Sequence, residues 1–404
     1  MAKNTYGNGS IYYSEPKGKW VGQIKVGIKA DGKVNRRTVY GKTKKEVKEK
    51  IKRIQAEVIT GVYKQPSELT IPDLANSIND NKKALNQISD TAYGRNKDTI
   101  KIIEKDLIAS IPIQKINELM LNEFLSKQVH YSNSVIKKIY AMCNRTLKKA
   151  ISMDIISKNP LNEIKTPKST KLTKKIKALT IQQQKNFIKA INEDNHEPYR
   201  TMLLLELFTG MRMGEICALS PHSVYYNHSL IEVTRTMTRN SEYKTVISNK
   251  TKTYAGLRRI KVDKSVMTLL KDYIDNNFIK NEYNLLFTKN GKMISTNQVN
   301  SYYKRLIVRY TIADDVKKCN QHQLRHTYAT RSIESGMPAK VLQYRLGHSD
   351  ITITLNTYCD VFSEFEDTYI DKTQEYLSSQ GIAIWKHCNQ NATFYDFTTD
   401  FPFK

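Results

Sequence analysis

Cysteine is scarce in this chain: five in 404 residues, at Cys143, Cys217, Cys319, Cys359 and Cys388. The number is odd and no pair has Cys-x-x-Cys spacing, which excludes a zinc ribbon and a disulfide framework and suits reduced thiols. Long apolar runs are missing too. The densest, Met202 to Leu207, is short and contains Glu206, so nothing approaches the ~18 residues of a membrane span. The opening MAKNTYGNGS is polar and lacks the apolar centre of a signal segment. These absences lead to the expectation of a protein in a bacterial-type cytoplasm, with no export step and no membrane partner. Acidic residues are also few, 39 Asp and Glu against 65 Lys and Arg, for a net charge of +26. That balance points first to nucleic acid, although an anionic membrane surface or plain solubility would also fit.

Length allows two or three domains, and the pattern predicts a multidomain α+β chain. Residues 1–62 read as a three-stranded sheet plus one helix. Ser10–Tyr13, Trp20–Val26 and Arg36–Tyr40 have strand character, with turns at Pro16–Gly18 and Asp31–Gly32. Thr43 and Glu46 fit a capping box, Val47, Ile51, Ile54 and Val58 form one helical face, and Gly61 ends the helix. One sheet face packs on that helix. The other is expected to carry Lys25, Lys29, Arg36 and Arg37, either as a solvated surface or as a surface that meets DNA.

Residues 68–165 read as a helical bundle. Thr70 caps one helix. Ser134–Ile155 is the clearest amphipathic stretch, with Val135, Ile139, Met142, Leu147 and Ile151 on the apolar side. Lys137, Lys138, Arg145, Lys148 and Lys149 cover much of the rest. Residues 166–178 read as a basic linker containing Lys168, Lys171, Lys174, Lys175 and Lys177, kept from helicity by Pro167. A strap of this charge can lie along a duplex and release counterions. From Leu179 onward, with Thr180 as a cap, a third domain runs to about residue 375. An aromatic-rich tail, 376–404, contains Trp385, Phe394, Tyr395, Phe397, Phe401 and Phe403. It is either a frayed end, a cover for its own chain or a docking segment.

Six residues of the third domain suit phosphodiester chemistry: Arg212, Lys252, His322, Arg325, His348 and Tyr358. Arg212 lies between a buried helix, Tyr199–Phe208 stopped by Gly210, and the next helix. Its planar fork can grip two phosphate oxygens, and Glu215 can hold it, unless the two are simply a surface pair. Lys252 is read in a hairpin formed by Thr245–Ser248 and Arg259–Val262 around Tyr254-Ala255-Gly256. There it can protonate a departing oxygen, with Lys250 and Lys261 as rivals. His322 and Arg325 fall on one face in the first turn of a helix. His326 points elsewhere on that helix and reads as a packing residue or as one that supports the site residues from behind. His348 follows the stop at Gly347, Asp350 caps the next helix, and Tyr358 lies near that helix's end. A free phenol has a pKa of about 10, so Tyr358 needs help to lose its proton.

The segments TGMRMGEICAL, KTYAGLRRI, HQLRHT and LGHSDITITLNTY together resemble the catalytic domain of the tyrosine recombinases, or phage-integrase family, over about residues 175–375. GNGSIYYSEPKGKWVGQI with RRTVYGKTKKEV is similar to the arm-binding domain of integrases from temperate phages and conjugative transposons. KNPLNEIKTPK is similar to the end of their core-binding domain. The resemblance implies a site-specific recombinase that integrates and excises a mobile element through a 3′-phosphotyrosine and a Holliday junction, with no ATP, metal or other cofactor. Tyr358 would be the nucleophile, Arg212 and Arg325 would hold the phosphate, and His348 would hydrogen-bond it. His322 would assist proton loss and Lys252 would protonate the 5′ oxygen. Expected DNA contacts are Lys25, Arg36, Arg37, Lys138, Arg145, Lys149, Lys171, Lys174 and Lys175. Expected partners are double-stranded core and arm sites, a homotetramer on DNA, an accessory DNA-bending protein and an excisionase. An inert DNA-binding architectural protein and a topoisomerase-like relaxing enzyme remain open alternatives.

Overall fold

The computed structural model describes residues 9–28, 32–60, 63–171, 177–248, 257–313, 319–364 and 366–382. The chain divides into two compact units after Thr173. In the first, β1 (Ser10–Ser14), β2 (Lys19–Ile28) and β3 (Val34–Gly41) form an antiparallel sheet in the order β1-β2-β3. Helix α1 (Lys44–Ile59) begins at Thr43, whose hydroxyl accepts the Glu46 N–H, while the Glu46 carboxylate accepts the Lys42 N–H. The reciprocal bond therefore lands one residue earlier than a capping box would place it. Val47, Ile51 and Ile54 bury against Ile24, Trp20 and Val39 as the periodicity predicts. Gly22 lets the helix come close, since a Cβ there would lie 2.5 Å from Val47 Cγ1.

The register separates two arginines that the sequence reading placed together. Lys25 pairs with Arg36, whereas Arg37 pairs with the buried Ile24. Cross-strand partners share a face and neighbours along a strand do not. Lys25 and Arg36 therefore stand on the open face, and Arg37 stands on the helix side with its guanidinium 5.8 Å from the Tyr63 ring. This corrects the expectation for Arg37. Lys29 and Gly61 lie outside the described residues.

The rest of this unit is helical: α2 (Ile71–Ala84), α3 (Asp90–Glu104), α4 (Glu118–Lys127) and α5 (Asn133–Ser152). Thr70 and Asp73 form a full capping box. Helix α5 buries Ile136, Ile139, Met142, Cys143, Leu147 and Ala150. Ile151, expected inside, is exposed because in the last turn Ala150 faces the core instead. After α5 the chain stays on the bundle as far as Thr170, whose N–H reaches Val129 O.

The second unit begins with α6 (Ile181–Asp194), α7 (Tyr199–Thr209) and the five-residue α8 (Met213–Cys217). The strands β4 (Val224–Tyr225), β5 (Leu230–Val233), β6 (Thr236–Arg239), β7 (Thr245–Ser248) and β8 (Arg258–Lys261) follow. Next come α9 (Lys264–Asn277), a two-strand pair β9 (Thr288–Lys289) and β10 (Lys292–Met293), and α10 (Thr296–Arg309). The unit closes with α11 (His322–Glu334), α12 (Ala339–Leu346), α13 (Ile351–Glu364) and α14 (Glu366–Ser379). Thr180 and Gln183 cap α6 reciprocally. Helix α7 is apolar nearly all round because α6, α8, α9, α10 and α11 all pack on it.

The expected hairpin of β7 and β8 does not form. β7 pairs with β6, and β8 pairs with β5 in a separate three-stranded sheet, β4-β5-β8. Two local features decide this. Asn240 builds the β6–β7 turn, its side chain accepting the N–H groups of Glu242 and Lys244. β8 also alternates buried Arg258 and Ile260 with exposed Arg259 and Lys261, matching the inward Ile231 and Val233 of β5.

Candidate active site

Three of the six predicted residues converge on the end of α12. Gly210 ends α7 in the left-handed conformation at φ 65°, and Gly347 ends α12 likewise at φ 64°. Arg325, buried on α11, donates through Nη1 to Gly210 O at 2.6 Å and through Nη2 to Leu346 O at 2.8 Å. Arg212, the residue capping α8, donates through Nη2 to Gly347 O at 2.9 Å. Both guanidiniums thus rest on carbonyls of helix ends, which carry partial negative charge. The Arg212 side chain is 40% exposed, so one cation is buried and the other reaches the surface.

His348 completes the cluster. The left-handed Gly347 lets the His348 N–H reach Gln343 O, and the Gln343 amide returns to His348 O. The ring touches Arg325 Nη2 through Nε2 at 2.9 Å and Thr354 Oγ1 through Nδ1 at 2.8 Å. A guanidinium only donates, so Nε2 accepts and the proton sits on Nδ1, facing Thr354. Burial, then the charges of Arg325 and Arg212, pull the His348 pKa down to about 3. The same causes, in the same order with His326 added, bring His322 to about 4. Arg325 itself is brought down to about 9, first by burial and then by Arg212. Two neutral imidazoles and crowded arginines mark a place where a bound anion would relieve repulsion.

Glu215 locks the arrangement. Its carboxylate accepts Arg212 Nη1 at 3.0 Å, the Arg212 backbone N–H at 2.9 Å, and Arg258 Nη1 and Nη2 at 3.1 and 2.7 Å. Burial alone would push this carboxyl up, but Arg258, followed by Arg212, holds it at about 2. Arg258 also donates through Nε to Arg345 O. The sequence reading used Glu215 but missed Arg258. The clue was parity, since Arg258 shares its strand face with the apolar Ile260 and Val262. Glu206 was missed as a site neighbour as well. It is fully buried, and among the described residues neither of its carboxyl oxygens meets a hydrogen-bond donor. Burial pushes its pKa well up, Glu215 adds to this and Arg325 opposes it.

Tyr358 is 5% exposed and packs with Ala329, Ile333, Leu342 and Leu346. It lies at the end of its helical stretch, as expected: α13 breaks at Tyr358, where φ is −119° and ψ 17°, and a second helical stretch carries the chain on to Glu364. This sparsely occupied backbone region is frequented by active-site residues. Burial raises the phenol to about 12 while Arg325 pulls the other way. The hydroxyl lies 3.1 Å from His326 Nδ1, so His326, expected to pack or to support the site from behind, touches Tyr358 directly.

Lys252 lies outside the described residues, as do Lys250, Lys174, Lys175 and the tail beyond residue 382. Among the other expected DNA contacts, Lys138 and Arg145 line one cavity of about 250 Å³ between α3 and α5, together with Arg95, which was not foreseen. Lys149 is exposed four residues after Arg145, on the same side of α5, and Lys171 is exposed after the bundle. Among the described residues, no helix is long and apolar enough to cross a membrane.

Residues 177–364 match the family model of the phage integrase family. The chain is 25% identical over 396 residues to a XerC-like tyrosine recombinase of Caldanaerobacter subterraneus subsp. tengcongensis, covering 89% of this chain and 96% of that protein. It is similar to the Tn1549 transposon integrase in complex with transposon right end DNA, with a TM-score of 0.63 and 25% identity over 74% of this chain and 99% of that one. A lambda integrase tetramer bound to a Holliday junction shares the fold at 16% identity and a TM-score of 0.52, over 88% and 96% of the two chains. Residues 177–364, with their paired arginines, neutral histidines and buried tyrosine, thus form a phage integrase family domain, and the relatives of this chain are tyrosine recombinases, a class of enzymes that break and rejoin DNA.

Proposed function

We propose that this recombinase integrates and excises a mobile element by forming a covalent bond between Tyr358 and the 3′ side of a DNA break. The single observation that carries this reading is the convergence of Arg212, Arg325 and His348 on the end of α12, with the Tyr358 helix following directly. A scissile phosphate docks against the part-exposed Arg212 guanidinium, with the buried Arg325 close behind it. Its charge offsets the repulsion that, after burial, keeps the histidines neutral, so His348 Nε2 can give up the Arg325 N–H, take a proton and donate to a phosphate oxygen. The two guanidiniums stabilise the additional charge of the pentavalent state. The Tyr358 oxygen bonds to phosphorus, the phosphorus–5′ oxygen bond breaks, and Lys252 supplies the proton to the 5′ oxygen. His322 assists removal of the phenolic proton. Because the phosphotyrosine keeps an ester bond, a 5′ hydroxyl can attack it later and rejoin the strand without ATP.

In this reading residues 1–62 bind arm sites through the open sheet face with Lys25 and Arg36, and residues 68–165 bind the core site. Lys138, Arg145 and Lys149 meet phosphates there. The strap at 166–178, with Lys171, Lys174 and Lys175, follows the backbone of the duplex, and residues 179–375 perform the chemistry. Four protomers assemble on two sites and exchange strands pairwise, assisted by a DNA-bending protein and an excisionase. The test is a suicide substrate carrying the element's own junction, nicked so that the cleaved end diffuses away. Wild type should accumulate a covalent protein–DNA adduct, whereas Tyr358→Phe should bind the same DNA and form none. An adduct at wild-type level with Tyr358→Phe would remove the nucleophile from this reading.

A further inference from the structure

We propose that His326 is the base that takes the phenolic proton of Tyr358 during attack. The inference rests on Tyr358 being the nucleophile and goes further by assigning activation to a histidine one helical turn beyond His322. Three observations carry it. The Tyr358 hydroxyl lies 3.1 Å from His326 Nδ1, within reach for direct transfer. The rings lie 5.8 Å apart and are tilted by 58°, so they are not stacked face to face. Tyr358 also occupies the kink of α13, where its backbone leaves helical values, in a pocket that also buries its ring.

The groups around His326 suit a base. Arg325 and His322 stand on the same helix, Tyr358 faces it from α13, and Arg212 and His348 lie around the same cluster. Burial first, then Arg325, lowers the His326 pKa, so in the free protein the ring is a neutral acceptor. The His322 ring meets His326 edge-on at 5.0 Å, which places a second imidazole behind the first. The step balances without an outside reactant. As the Tyr358 oxygen–phosphorus bond forms, the O–H bond breaks and its proton goes to Nδ1. The growing negative charge on the phosphate offsets the new imidazolium beside Arg325. On rejoining, His326 returns the proton as the tyrosine leaves.

The test is single-turnover adduct formation on the suicide substrate with the full chain. His326→Asn keeps an amide near the position of Nδ1, and His326→Gln is carried beside it in case the first folds poorly. Whichever binds DNA like wild type is read. The expected loss near neutral pH is about 100-fold, the lower end for a missing general base. The deficit should shrink as pH rises toward ionisation of the phenol. It should also shrink when Tyr358 is replaced by a fluorinated tyrosine, whose phenol is more acidic. A loss that is flat with pH and indifferent to fluorination would mean that His326 only packs, and a wild-type rate would overturn the proposal outright. If neither variant binds, the intact chain still decides. With a base in place its rate is level across neutral and mildly alkaline pH for either tyrosine. A rate that rises tenfold per pH step and moves with fluorination would mean that the phenol ionises to solvent, which overturns the assignment. A Tyr358→Phe chain that still forms adducts would sink the nucleophile reading itself, so the two failures are distinguishable.

Discussion

Replacing Glu215 with glutamine should unfold the catalytic unit more easily than any change of its size on the surface. The carboxylate is 4% exposed and accepts four N–H bonds, three from guanidiniums and one from backbone. Glutamine keeps the volume but leaves one acceptor oxygen and turns an NH2 toward the arginine donors. Arg258, whose side chain has no exposure, then loses the carboxylate charge that faces it. Two routes give the magnitude. Removing one partner of a buried pair costs about 3–5 kcal/mol. Holding a carboxyl at about 2 instead of 4.5 corresponds to roughly 3 kcal/mol at 1.36 kcal/mol per tenfold change. The expected loss is therefore roughly 3–4 kcal/mol, or a fall of about 6–16 °C in Tm for a unit of this size. Scanning calorimetry of the full chain is the suitable assay, because the unit ending at Thr173 serves as an internal control whose transition should stay in place. Since the folded pKa is depressed, the carboxylate's contribution is complete above about pH 4.5 and is lost as pH falls toward 2. The deficit of the variant should therefore close over that window. Glu215→Gln combined with Arg258→Met should recover much of the loss, as apolar replacements of buried pairs often do. A deficit under about 1 kcal/mol, or a double variant no better than the single one, would refute the reasoning.

Gly210→Ala should also destabilise this unit. The residue has φ 65°, and an added Cβ would lie 2.3 Å from Tyr328 Cδ1; left-handed strain and overpacking together should cost about 2–4 kcal/mol, read as a shift in the calorimetric transition. His322 and His348 are held at about 4 and 3 in the folded chain against an ordinary 6.5. The unfolded chain then binds more protons below pH 6.5, so stability of the free protein should decline as pH falls from 6.5 toward 4, checked by urea midpoints across that range. Saturating duplex containing the core site should soften that decline, because phosphate charge favours the protonated rings. Deleting residues 1–62 should spare binding to the crossover site and abolish binding to separate arm repeats in a gel-shift assay; undiminished arm binding would remove the role given to the open sheet face.

Local chemistry made much of this protein readable in one dimension. Thr70 and Thr180 announce helix starts because a hydroxyl followed three residues later by Asp or Gln can satisfy free N–H groups, and both caps form. Arg212 with Glu215, and His322 with Arg325, are three apart, so helical geometry places each pair within reach. The strands of the first sheet follow their alternation closely. Arg36 and Arg37 could also have been separated this way, since adjacent strand residues face apart, but both were read as simple positive charge. The β7–β8 hairpin failed for a different reason. Two strands close in sequence pair only if nothing better is available, and here the Asn240 turn gave β7 a nearer partner while β5 offered β8 a matching apolar face.

The sequence by itself determined the residue types, a surplus of cations and a tyrosine that suit phosphodiester chemistry, because composition and short spacings need no fold to be read. Only the tertiary structure decided which groups meet. Arg325 joins Gly210 from 115 positions away, Arg258 reaches Glu215 from 43, and His326 meets Tyr358 from 32. The physical reason is that these contacts are set by how helices pack and where left-handed glycines end them. A side chain's partner across the core is fixed by that packing and leaves no periodic trace along the chain.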